Sequence, residues 1–389
     1  MTISQNIQYI GVHDQNIDLF EGQYSVPEGI TYNSYVILDE KIAVMDTADK
    51  HFTDQWLDQL SQVLGDRTPD YLVIQHMEPD HSCGITALLE KYPETIIVSS
   101  QFAFNIMKNT LGTDFAQRRL VVGENSTLEL GKHTLTFVTA PMVHWPEVIM
   151  TYDSLEKTLF SADAFGTFGM PDTLEDWTPE ARRYYIGIVG KYGAQVQALL
   201  KKAAALDIQR ICALHGPILT GDPTPYIHLY DTWSSYGTES EGILIAYTSI
   251  YGSTKAAVEL LAEQLRSAGC NVEVRDLARC DMTEAVAQAF RFGKVVLATT
   301  TYNADIFPFM KEFIHHLTER NFSNHTVALI ENGTWAPAAA RVMTKMLADC
   351  KNLTYTTASV KLPGALNDTA KAQIAALAQE LCAAGASAE

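Results

Sequence analysis

The chain has 389 residues, 47% of them hydrophobic, and a formal net charge of −18. Such length and apolar content support two or three domains, each with its own core, and exclude disorder as the default. The charge repels phosphate backbones and anionic lipid surfaces, no apolar run approaches the ~20 residues of a spanning helix, and residues Met1 to Asn6 lack a secretory pattern. A soluble, cytoplasmic protein without nucleic-acid or membrane partners is therefore expected.

In chain order, Asn33 to Leu38 and Lys41 to Asp46 read as a hairpin closed by Asp39-Glu40. Asp70 to Gln75 reads as a buried strand, and Gly84 to Tyr92 has the apolar spacing of a helix that stops before Pro93. Between them lies His76-Met77-Glu78-Pro79-Asp80-His81. Further strands are expected at Leu135 to Val138 and Glu147 to Tyr152, with a short apolar run at Thr158 to Ser161. Over residues 216–241 the composition turns to Gly, Pro and Ser, the punctuation of an interdomain connection. The domain limits are accordingly set at 1–240 and 241–389. Beyond the boundary a βαβ alternation begins: strand Ile243 to Tyr247, helix Ala256 to Ala268, strands Val272 to Asp276 and Val295 to Thr299. It continues with helix Pro308 to Thr318, strand Thr326 to Ile330 and helix Ala336 to Ala348.

The run His76 to His81 concentrates two imidazoles and two carboxylates within six positions, a density suited to a metal site. Three isolated residues join it as candidates, each after an apolar stretch and before a turn: His144 in Met142-Val143-His144-Trp145-Pro146, Asp163 in Ser161-Ala162-Asp163, and His215 in Leu214-His215-Gly216-Pro217. The six cysteines (Cys83, Cys212, Cys270, Cys280, Cys350, Cys382) form no C-x-x-C pair, which argues against a rubredoxin-type iron site or a zinc ribbon. They read as reduced thiols. In the second domain Thr248-Ser249-Ile250-Tyr251-Gly252-Ser253-Thr254 joins a strand to a helix and suits one phosphate at the helix N-terminus. It has neither the G-x-G-x-x-G spacing of a dinucleotide site nor the Lys of a Walker loop, so a mononucleotide is indicated.

Over nearly its full length the chain resembles the flavodiiron proteins, in which a metallo-β-lactamase-like domain is fused to a flavodoxin-like one. The most specific element is H-x-E-x-D-H at residues 76 to 81, where hydrolases of the metallo-β-lactamase superfamily carry H-x-H-x-D-H. Glu78 thus stands where they have an imidazole, a harder oxygen donor that shifts preference from zinc toward iron or manganese. The resemblance implies an α/β chain: an N-terminal αββα sandwich, then a doubly wound parallel sheet. Carried over by position, it implies two non-haem iron ions per subunit, one on His76, Glu78 and His144, the other on Asp80, His81 and His215, with Asp163 bridging. The histidine matching His81 does not reach the metal in some relatives. Trp145 and Tyr192 are candidates for proton supply or pocket polarity.

The same resemblance implies FMN, held by the 248–254 loop together with Thr300-Thr301-Tyr302-Asn303-Ala304 and Asn332-Gly333-Thr334-Trp335-Ala336. Tyr302 and Trp335 would flank the ring. The third loop departs from the Gly-rich form of the family. The expected reaction is reduction of O2 to water, of NO to nitrous oxide, or of both, with electrons from rubredoxin or a similar donor passing through FMN. Relatives are head-to-tail homodimers or dimers of dimers. Two alternatives remain open on sequence: a metallo-β-lactamase-type di-metal hydrolase with an accessory flavodoxin-like domain, and a flavodoxin-like electron carrier with a degenerate first domain.

Overall fold

Alternating apolar residues decide which way each strand of the N-terminal region faces. In the computed structural model, which describes residues 2–383, Tyr35–Ile37 and Ala43–Met45 pair antiparallel, with Tyr35 opposite Met45. Tyr35, Ile37, Ala43 and Met45 enter one core, while Val36 and Val44 belong to another on the opposite face. Parallel strands Tyr71–Val73, Ile96–Ser100 and Arg119–Val122 extend this hairpin on one side and Ile7–Tyr9 on the other, making a six-stranded sheet.

A second six-stranded sheet runs Thr127–Glu129, Thr134–Thr139, Ile149–Asp153, Thr158–Phe160, Arg210–Cys212, Leu219–Thr220. Its Leu135, Phe137, Ile149 and Phe160 meet the inward residues of the first sheet in one core. Helices Thr53–Leu64, Ile85–Lys91 and Gln101–Thr110 close the outer face of the first sheet through Trp56, Leu60, Leu88 and Phe104. On the far side, Lys202 of helix Gly193–Ala203 donates to the Thr139 carbonyl of the second sheet at 2.8 Å. The layers are those of an αββα sandwich. Two local readings change. Strand pairing at Tyr71–Val73 is shorter than the expected Asp70 to Gln75, because the Asp46 carboxylate takes the Gln75 N–H at 2.8 Å. The run from His76 to His81 includes a helical turn, Pro79–Ser82, with proline at its start where no N–H is required.

The chain divides into two compact units between Asp231 and Thr232, within helix Thr224–Ser234. Met1 and residues 384–389, which the sequence-based limits include, lie outside the described residues. In the second unit the strands are parallel in the order Val272–Asp276, Ser240–Tyr247, Phe292–Tyr302, Thr326–Asn332, with Thr354–Tyr355 and Val360–Leu362 both beside the last. This is the doubly wound order of flavodoxins, whose crevice opens at the carboxyl ends where the order reverses. Ile243, Ile245, Val296 and Ile330 bury one face of the sheet against Leu261 and Leu265 of helix Ser253–Ser267 and Ile374, Leu377 and Leu381 of helix Asp368–Ala383.

Candidate functional site

Four turns of the first unit, each following a strand, bring the seven candidate ligands into two adjoining donor groups. In the first, His144 Nε2 lies 3.1 Å from Glu78 Oε2 and 3.1 Å from Asp163 Oδ2. His76 Nε2 lies 3.2 Å from each of those oxygens and 3.3 Å from His144 Nε2. Ligands placed tetrahedrally about an ion at ~2.0–2.1 Å stand about 3.3–3.4 Å apart, so these spacings suit a coordination shell. In the second group His81 Nε2 is 3.1 Å from His215 Nε2 and 3.3 Å from Asp80 Oδ2. Asp163 turns its other oxygen here, Oδ1, at 3.5 Å from His81 and 3.8 Å from His215.

The donor chemistry fits cations and little else. Asp80 and Asp163 are buried, and neither oxygen of either finds a well-placed hydrogen-bond donor among the described residues. Two carboxylates left so would cost several kcal/mol each without a counter-charge, on the order of the burial penalty for an unpaired ion. In two of the histidines the other ring nitrogen is already committed. His76 Nδ1 meets Glu147 Oε1 at 2.8 Å, and His215 Nδ1 meets the Thr31 carbonyl at 2.7 Å. Each partner holds the ring proton on Nδ1 and leaves the Nε2 lone pair facing the group.

Burial lowers the His76 pKa, but Asp163, Glu147 and Glu78 outweigh it and hold the imidazole well above its ordinary value. His144 is pushed up to about 9 by Asp163 and Glu78 against the same opposing burial. Burial raises Asp163 and Glu78, yet the facing histidines hold both below the usual carboxylate range. At His76 and His144 a proton and a cation therefore compete for the same nitrogen.

Around the groups the backbone is tightly tied. The Glu147 carboxylate also accepts Met77 N–H at 2.9 Å, and Ser100 Oγ donates to the Glu147 carbonyl at 2.9 Å. Asp46 accepts both the N–H and the side-chain amide of Gln75 at 2.8 Å; burial pushes its pKa up to about 6 in spite of them. Phe20, Tyr32 and Tyr184 pack about the His215 ring, and Trp145 meets His76 edge-on at 5.2 Å. Tyr192 is not brought in. It ends the 3-10 turn Gly190–Tyr192, half-buried, with no ring contact or hydrogen bond to the donor groups. Thr31, Asp46 and the pairing of Glu147 with His76 escaped sequence reasoning. An acidic residue inside the apolar stretch Trp145-Pro146-Glu147-Val148-Ile149 was the available signal.

In the second unit the three expected loops line one cavity of about 680 Å³ at the carboxyl ends of the sheet. Ser249, Ile250, Tyr251, Ser253 and Thr254 come from the first, Thr300 to Ala304 from the second, and Asn332 to Ala336 from the third; Phe307 and Gly364 complete the wall. Thr248 and Gly252 do not line it. Thr248 is buried and shares a hydroxyl hydrogen bond with Thr299 at 2.6 Å. Gly252 takes φ +90°, which turns the chain into helix Ser253–Ser267 and so brings Ser253 and Thr254 into its first turn. Thr300 to Tyr302 prove to be strand rather than loop, because Thr301 and Tyr302 pair with Asp305–Ile306. The last helix of that region begins at Ala339, leaving Trp335 and Ala336 in the loop. Tyr251 and Trp335 stand 96% and 82% exposed, and both present aromatic faces at the cavity.

The profile of the ODP family of β-lactamases matches residues 30–216, and a flavodoxin-domain profile matches residues 244–367. A putative diflavin flavoprotein of Synechocystis is 33% identical over 278 residues, 70% of this chain but 48% of that protein. The chain thus spans about half the length of that relative. A nitric oxide reductase of Moorella thermoacetica is 28% identical over 362 residues, covering 90% of both chains. Among solved structures, the rubredoxin oxygen:oxidoreductase of Desulfovibrio gigas superposes with a TM-score of 0.91 at 26% identity, covering 99% of this chain and 98% of that one.

Proposed function

We propose, on the premise that the chain belongs to the flavodiiron proteins, that it reduces O2 to water, NO to nitrous oxide, or both, at a di-iron centre fed with electrons through FMN. The observation that carries this reading is Asp163, one buried carboxylate with an oxygen turned to each of two donor groups, in the same chain as a flavodoxin-type cavity. His76, Glu78 and His144 would hold one iron; Asp80, His81 and His215 the other; Asp163 would join them. Bound there, two redox-active ions supply the paired electron donation that redox-inert zinc does not, and FMN supplies the relay.

The chain's own residues define what happens around that chemistry. Glu147 and the Thr31 carbonyl fix the rings of His76 and His215 and keep their protons on Nδ1, away from the reacting side. Phe20, Tyr32, Tyr184 and Trp145 wall the centre and exclude bulk water, which strengthens every charge interaction inside. In the second unit, the backbone N–H groups of Ser253 and Thr254, at the start of a fifteen-residue helix, would receive the FMN phosphate. Tyr302 and Trp335 would flank the isoalloxazine ring, with Asn303 at its polar edge. Rubredoxin or a comparable carrier is the proposed donor, and a head-to-tail homodimer in the cytoplasm the proposed assembly and setting.

Four electrons and four protons turn one O2 into two waters; two of each turn two NO into nitrous oxide and water. The test is anaerobic mixing of fully reduced protein, its iron and FMN quantified, with each gas, following flavin absorbance and gas consumption. Oxidation by one or both at turnover rates is expected. Inertness toward both, with iron and FMN bound, would overturn the assignment.

A further inference from the structure

Cys270 and Cys382 are 112 positions apart, yet their Sγ atoms stand 2.8 Å from each other. That is well inside the roughly 3.5–4.0 Å at which non-bonded heavy atoms rest comfortably. Cys270 follows helix Ser253–Ser267, its N–H bonded to the Leu265 carbonyl at 3.0 Å; Cys382 lies in the last turn of helix Asp368–Ala383. The two helices share a core through Leu261, Leu265, Leu377 and Leu381, so packing, not chance mobility, holds the sulfurs together. Both residues are half-buried and remain reachable from solvent. Among the described residues the other four cysteines have no sulfur neighbour.

We infer that Cys270 and Cys382 form a redox-responsive pair, which a low-molecular-weight disulfide converts to an intramolecular disulfide. The Cys270 thiolate attacks one sulfur of the small disulfide; an S–S bond forms to Cys270, the original S–S bond breaks, and one small thiolate leaves. Cys382 then attacks the Cys270 sulfur, the mixed disulfide breaks, and the second small thiolate leaves with the protons released. The protein pair loses two electrons and the small disulfide gains them. Burial and the neighbouring Cys270 push the Cys382 thiol up to about 11, with Lys294 opposing, so Cys382 suits the second, proximity-driven step rather than the first. Lys294 Nζ is held close by donating to the Leu381 carbonyl at 2.9 Å. The ring closed by the bond takes in both later flavin-cavity loops, 300–304 and 332–336.

The experiment uses the full chain with its cofactors, reduced, desalted and then equilibrated anaerobically with increasing oxidised glutathione. Intact mass should fall by about 2 units, recover with dithiothreitol, and peptide mapping should show one link, Cys270 to Cys382. Cys270→Ser and Cys382→Ser should each abolish the link. Cys280→Ser, at a thiol with no sulfur neighbour, should leave it intact. The inference is overturned if glutathione stays attached to either cysteine without ring closure, if both thiols remain open to alkylation at excess oxidant, or if the link maps elsewhere. None of these readouts depends on gas reduction, so the outcome is separate from the proposed activity.

Discussion

Replacing Glu147 tests whether the shape of the proposed metal centre is imposed from behind its ligands. Its carboxylate accepts His76 Nδ1 at 2.8 Å and Met77 N–H at 2.9 Å, and its second oxygen has no partner among the described residues. Glu147→Ala leaves two buried donors unsatisfied, at about 1–3 kcal/mol each, so the first domain should lose roughly 2–6 kcal/mol. In Glu147→Gln the amide oxygen can keep both bonds. Its NH2 then falls where no acceptor waits, for a loss of about 1–3 kcal/mol. Glu147→Ala releases the His76 ring, and loss of such an outer partner typically weakens metal binding ~10–100-fold; Glu147→Gln, which keeps the bond to the ring, should weaken it less. Urea unfolding of the metal-free chain gives the first quantity. Competition with a chromophoric chelator, scoring two ions separately, gives the second. Weaker binding of the ion at His76, with the ion at His215 less affected, is expected. Wild-type affinity for both ions in Glu147→Ala would refute the reasoning.

Three other outcomes follow from the geometry. Gly216 has φ +80°, and a Cβ there would stand 2.2 Å from Thr167 Cγ2, so Gly216→Ala should destabilise the first domain by roughly 2–5 kcal/mol and disturb neighbouring His215, read by thermal unfolding and metal stoichiometry. Buried His133 pairs with Asp153 at 2.9 Å; burial lowers its pKa but Asp153 and Asp39 raise it above the ordinary value. A raised folded pKa stabilises fully below the unfolded value near ~6.5 and is lost as pH climbs through the folded one, so the stability gap between wild type and His133→Gln should be widest below that value and narrow as pH rises above it in denaturant titrations. Trp335→Ala removes one exposed aromatic face of the flavin cavity, and fluorescence titration should show FMN bound on the order of 2–10-fold more weakly, as stacking worth ~0.5–1.5 kcal/mol implies.

Sequence reading reached the architecture because the signals there are local. The continuous apolar runs Tyr35–Ile37, Ala43–Met45, Ile243 to Tyr247 and Val295 to Thr299 reflect burial on both faces of their sheets, which composition and length report directly. The run from His76 to His81 was legible for the same reason: its donors are contiguous. His144, Asp163 and His215 could be singled out because each follows a strand of one sheet, so strand ends gather them. Contacts made only by tertiary placement left no such trace. The Glu147–His76 and Thr31–His215 bonds span 71 and 184 positions, and the Cys270–Cys382 approach 112. Tyr192, by contrast, makes no ring contact or hydrogen bond to the donor groups among the described residues. The strand that runs through Thr300 to Tyr302 was misread because Thr and Tyr serve strands and ligand loops alike.

Asp163, with one oxygen toward each donor group, would make the two groups a single thermodynamic object. On the proposed assignment, an ion entering one group would fix the carboxylate's orientation and draw down its charge, which would change what a second ion meets, and by reciprocity the second would change the first to the same degree. Mutual repulsion of the cations opposes that shared organisation, and the sum sets the spread between the two binding constants. Metal titration should then fit a coupled pair rather than two independent sites, and chains with one ion would be a population whose size reports the sign of the coupling.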